Sequence, residues 1–171
     1  MTTQKSHVKK LLERKFINKK YRLIKFFLML IKFIIALGLL CVIAVIDLVS
    51  YRIPDVLVAM LFVCALIFDV IKNPKGLVMS FTASCIVFLI FYLVYRIFGG
   101  IGFGDVKLAA CIAYVFGFFD SLFICLVACI TGIIFFIINK FLGRKRLKRL
   151  PFAPFIFIGA LAVVCFRERW T

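Results

Sequence analysis

The chain has 171 residues, 65% of them hydrophobic, with seven carboxylates and a net charge of +16. Its mean hydropathy is +1.17, and a water-soluble domain of this length cannot hide so much apolar surface, so lipid must cover most of it. The basic clusters lie beside apolar runs and carry no nucleic-acid-binding signature, which points to anionic lipid rather than nucleic acid as their partner.

Residues 1–25 carry nine Lys or Arg against one acid, Glu13, and the lone histidine, His7. A rough apolar stripe through Leu12, Phe16, Leu23 and Phe27 is compatible with a helix lying in the membrane interface. The first apolar run, 26–46, is longer than a signal-peptide core, and no small-x-small cleavage pattern follows it, so it is read as an uncleaved helix. Five further runs follow at 56–68, 76–95, 106–119, 121–139 and 152–166. Short loops separate them: DLVSYRIPD, KNPK, RIFGGIGFGD, a turn at Asp120, and GRKRLKRLP, which holds five more basic residues. A bilayer takes about 20 apolar residues, so the first, third and fifth runs span unaided. The others need flanking residues, thinned lipid or shelter among neighbours. The expected fold is all-α: a polytopic membrane protein of about six transmembrane helices, with a basic tail at 1–25 and one membrane domain at 26–171.

Pro54 and Asp55 suit the start of the second helix, where a missing N–H is harmless and a negative charge is favoured. In the fourth run, Ala109, Ala113 and Gly117 form a small-xxx-small ridge that lets another helix come close, so that helix is expected to be central. All seven cysteines lie in apolar runs, with no CxxC and no histidine nearby. They read as packing residues, and neither a metal nor a cofactor is expected.

Five aspartates lie near run ends, at 47, 55, 69, 105 and 120. Asp69 beside Lys72 and Asp120 in a turn are explained as interfacial groups, and Asp55 by its helix start. Asp47 and Asp105 ask for more. Asp47 follows twenty apolar residues interrupted by one charge, Lys32, and continues into Leu48 and Val49. Asp105 follows Gly99, Gly100, Gly102 and Gly104, a density of glycine that permits close approach of another chain. No strand precedes them, so they are not a dinucleotide-binding turn.

GFGDVKLAA resembles the GxGDxKL signature of type IV prepilin peptidases and preflagellin peptidases, which are GxGD membrane aspartyl proteases. In that family the other catalytic aspartate precedes Arg or Lys and then Ile-Pro-Asn. Here Asp47 is followed by Arg52, Ile53, Pro54 and Asp55, an acid replacing the family's asparagine. PFAPFIFIGA, at 151–160, is similar to a late PFGPF-type segment, with Ala153 in place of glycine. The likeness runs from 40 to 166. It lacks the CxxC-bearing insert of the larger members that also N-methylate, and lacks the Tyr-Asp and Pro-Ala-Leu motifs of presenilin-like relatives. The short, peptidase-only branch found with Flp/Tad-type pili fits best.

The resemblance implies a catalytic pair, Asp47 and Asp105, with one carboxyl ionised and one protonated. Helix ends suggest Asp105 as the resting carboxylate and Asp47 as the acid. It also implies substrate contacts at Gly102, Gly104, Lys107, Arg52 and Pro54, although helical geometry turns Lys107 about 200° away from Asp105. The implied substrate is a prepilin with a basic leader, a glycine before the scissile bond and a hydrophobic helix. The implied location is the plasma membrane, with the site facing the cytoplasm. The basic loop at 143–150 agrees with that orientation, whereas the charge of the tail favours the reverse. Two other readings of the residues stay open: a non-catalytic pilus or secretion subunit, and a small cation-coupled transporter using the same two acids.

Overall fold

The structure is a computed structural model and describes residues 2–72, 74–99, 101–142 and 151–167. Six helices follow one another: α1 (Thr2–Ser50), α2 (Asp55–Lys72), α3 (Pro74–Phe98), α4 (Phe103–Phe116), α5 (Phe118–Phe141) and α6 (Ala153–Arg167). No strand occurs among the described residues. The protein is an all-α polytopic membrane protein.

Three segments are long and apolar enough to cross a bilayer: Phe26–Ser50, Gly76–Phe98 and Phe118–Phe141. They fall on the first, third and fifth apolar runs. The basic segment and the first run form one continuous helix, α1. The side chains of Leu12 and Phe16 and the basic loop at 143–150 lie outside the described residues; Leu23 and Phe27 are exposed.

The short helices find shelter. At 1.5 Å per residue, α4 is only about 21 Å long, against roughly 30 Å of hydrocarbon. Val106 and every residue from Leu108 to Phe116 are buried, and α4 packs on α2, α3 and α5. Its length is tolerable because protein, not lipid, surrounds it. Two cores form around it. The larger joins Leu40 and Ile43 of α1, Leu61 of α2, Ile112 of α4, Ile124 of α5 and Ile156 of α6. The smaller joins Val87 of α3, Ala109 and Ala113 of α4, and Cys125 of α5.

The boundary between α4 and α5 differs from the sequence expectation. The chain turns at Gly117, whose φ of +93° lies in a region closed to most side chains. The turn therefore comes three residues before Asp120, which belongs to the first turn of α5. Gly117 also leaves the expected ridge, of which Ala109 and Ala113 remain in the small core. Polar ties add to the packing: Ser84 of α3 donates to the Ala110 carbonyl of α4 at 2.8 Å. A glycine brings α5 and α6 together, since a Cβ at Gly159 would lie 2.6 Å from the Ile124 carbonyl oxygen.

Candidate active site

One end of the bundle holds a cavity of about 880 Å³. The last turn of α1, the segment joining it to α2, the start of α4 and the approach to α6 converge there, and Asp47 and Asp105 both line it. They come from different helices, α1 and α4. Asp47 sits on the buried stripe of α1, so the helix turns its carboxyl inward. One of its oxygens accepts the Ala153 N–H at 3.0 Å. Asp105 is the third residue of α4, and its Oδ2 accepts the Gly102 N–H at 3.1 Å.

The Ala153 bond changes the electrostatic reading. Asp47 lies at the C-terminal end of α1, but its carboxyl also meets the N-terminal amide of α6. Each aspartate thus receives an amide from a helix N-terminus. The helix-end argument that gave Asp47 the acid role and Asp105 the carboxylate role loses its asymmetry.

Gly102 and Gly104 line the cavity, and each leaves room for a particular neighbour. A Cβ at Gly102 would stand 3.0 Å from Asp105 Oδ2; one at Gly104 would stand 3.2 Å from the Cβ of Ile53. The second glycine lets the start of α4 pack against the segment that follows Asp47. Immediately after α1, Tyr51 adopts φ +52°, and its N–H donates to the Asp47 carbonyl at 2.9 Å. That left-handed turn directs Arg52 and Ile53 along the cavity wall. The Pro54 carbonyl accepts the first amide bonds of α2, from Leu57 and Val58, but Pro54 is not among the residues lining the cavity.

Lys107 reaches the cavity although it points away from Asp105, because the cavity wraps around the end of α4. Its amine binds both oxygens of Asp55, at 2.9 and 3.0 Å, and lies 4.9 Å from the Phe103 ring centroid. The acid that replaces the family's asparagine is thus the counter-ion of Lys107. Arg52 lines the cavity without an ion-pair partner among the described residues.

The apolar part of the lining was not visible in the sequence. Phe91 of α3, Cys129 and Phe136 of α5, and Phe152 complete it. Only Phe152 lay in a segment with a motif. The others are apolar residues in apolar helices, which nothing in the sequence singles out. Asp69 also differs from expectation: its carboxylate holds the Lys32 amine at 2.8 and 2.9 Å, far from the cavity. No group of three or more metal-binding side chains occurs among the described residues.

A model of the type IV leader peptidase family matches residues 20–137. That span includes α1 from Lys20 onward, both cavity aspartates and most of α5, and stops before α6. No curated protein and no solved structure matches the chain. The match covers well over half of the sequence, and the chain belongs to the type IV leader peptidase family.

Proposed function

We propose that this membrane peptidase is an aspartic endopeptidase that removes the basic leader of type IV, Flp/Tad-like prepilins, cutting after a glycine. The observation that supports this reading is the meeting of Asp47 and Asp105 in one cavity at one end of the bundle. Two carboxyls facing one cavity resist double ionisation, so one is ionised while the other is protonated. The ionised one takes a proton from water, whose oxygen attacks the scissile carbonyl carbon. The protonated one donates to the carbonyl oxygen; the C–N bond then breaks as the amine takes the proton that water gave up, and the intermediate's hydroxyl returns its proton to the other carboxylate.

The rest of the cavity suits such a substrate. Its polar rim, with Arg52, Gly102, Gly104 and Lys107, would hold the peptide around the cut. Its apolar lining, with Phe91 and Phe136, would receive the hydrophobic helix that follows. Pro54 acts from behind, by fixing the start of α2. The proposed activity is proteolysis without methyl transfer, at the plasma membrane, with the cavity facing the cytoplasm where leaders are made.

Co-expression with a candidate prepilin tests the proposal. Leader removal by the wild type is expected to be lost in both Asp47→Asn and Asp105→Asn, with each variant still present in the membrane. Leader removal persisting in either variant would defeat the two-aspartate mechanism, whereas leader removal no greater with the wild type than without it would favour a non-catalytic or transport role.

A further inference from the structure

We propose that Lys32 and Asp69 are positioning residues: their ion pair, buried between α1, α2 and α4, sets the rotation of α1 that turns Asp47 into the cavity. This rests on the reading of Asp47 and Asp105 as the reacting pair.

The apolar pattern of α1 cannot set that rotation by itself. Phe33, Ala36, Leu40, Ile43 and Ala44 are buried, while Ile34, Ile35, Val42, Val45 and Leu48 face outward. Both faces are apolar, and a leucine or valine gains little by exchanging lipid for a neighbouring helix. A lysine is different, because turning its ammonium toward lipid is costly. The Lys32 amine holds both oxygens of Asp69, and the two side chains are only 10% and 14% exposed. The same amine lies 5.9 Å from the centroid of the Tyr114 ring of α4. The next residue, Phe33, stacks on Phe116 of α4 with centroids 5.1 Å apart. One turn of α1 is therefore tied to both α2 and α4.

That turn shares a face with Asp47. Fifteen residues separate them, which is about 22 Å along the helix and about 60° around it. Rotating α1 by a single residue's 100° would strip Lys32 of its partner and take Asp47 away from the Ala153 amide. At its other end, α2 carries Asp55, paired with Lys107 of α4. The two acids of α2 thus fasten it to the helix of Asp47 and to the helix of Asp105. The Asp55 pair is largely exposed, at 35% and 70%, and solvent weakens such pairs. The buried pair carries the rotational constraint.

A pair that merely stabilised the bundle would behave differently from one that aims a side chain. Replacing a buried ion pair with apolar residues of similar size is often neutral or stabilising. In Lys32→Met/Asp69→Leu the helices should still pack, but the rotation of α1 loses its charge-based preference. The experiment uses the full chain in proteoliposomes with the prepilin cleaved on co-expression, and measures kcat, KM and melting temperature. The double variant should melt at or above the wild-type temperature, hold KM within about twofold and lose about tenfold or more in kcat, as expected for a misplaced reacting group. The swapped pair, Lys32→Asp/Asp69→Lys, should recover most of the lost kcat. An unchanged kcat in the apolar double variant overturns the inference. So does a kcat that falls only in step with melting temperature and is not recovered by the swap. Wild-type turnover that survives Asp105→Ala overturns the protease reading instead, which separates the two failures.

Discussion

Two aspartates on one helix, each paired with a lysine, show how burial decides what a charge is worth. Asp55 and Lys107 meet at the rim with most of the carboxylate exposed, where a pair contributes about 1 kcal/mol or less. Asp69 and Lys32 meet inside the bundle, where removing one partner leaves an uncompensated charge and costs about 3–5 kcal/mol. Asp55→Asn is therefore expected to leave stability within about 1 kcal/mol of the wild type. Asp69→Asn should cost several times more, and reversible unfolding in mixed micelles would measure both; equal effects would contradict the burial argument. Tyr51 presents the opposite situation, a bulky residue at φ +52°. Non-glycine residues in that region pay roughly 1–3 kcal/mol. With 43% of its surface exposed, the ring loses little packing when removed. Tyr51→Gly is expected to raise stability by about 1 kcal/mol in the same measurement; a decrease would mean that the ring's contacts at the cavity outweigh the backbone relief.

At the scale of helices, close approach is set by small residues at a few crossings. The crossing of α5 and α6 depends on Gly159, where any Cβ would press on backbone at Ile124 rather than on a movable side chain. Gly159→Ala is expected to cost about 1–3 kcal/mol, read as a lower unfolding midpoint. Because α6 starts at the amide that holds Asp47, the same substitution should lower turnover; unaltered stability would show that the two helices can part without loss. Gly159 could not be picked out beforehand, since a glycine in an apolar run looks the same whether it faces lipid or a helix. The long spans α1, α3 and α5 were legible because some twenty apolar residues in a row have few other fates. The boundary between α4 and α5 was misread for the converse reason: Gly117 continued an every-fourth-residue pattern, and only its positive φ marks it as the turn. Asp47 and Asp105 stood out because a carboxylate is conspicuous in such a chain. The partner of Asp69 did not, because Lys32 is 37 residues away and Lys72 is only three.

For the whole molecule, what separates the cavity from the rest of the surface is access to water. Much of the exterior is apolar and lipid-covered, including α1 around Cys41, α3 around Cys85 and α6 around Cys165, all three exposed on their helices. Cys129 is exposed too, but it lines the cavity that begins at the polar rim of Asp47, Arg52 and Asp105. It lies twelve residues before the end of α5, about 18 Å along that helix. Cys111 and Cys125 are buried. Thiol reagents act on the thiolate, which forms in water and not in hydrocarbon. A small charged methanethiosulfonate is therefore expected to modify Cys129 in sealed proteoliposomes while sparing Cys41, Cys85 and Cys165, with mass spectrometry of the intact chain as the readout. The added group would occupy the cavity, so modification should abolish leader removal, and Cys129→Ala should keep turnover while becoming insensitive to the reagent. If inhibition persists in Cys129→Ala, the reagent acts elsewhere; if Cys129 of the wild type stays unmodified, water does not reach that wall of the cavity. A substrate helix would then have to enter a dry site, and only the rim around the two carboxyls would be hydrated enough to supply the attacking water.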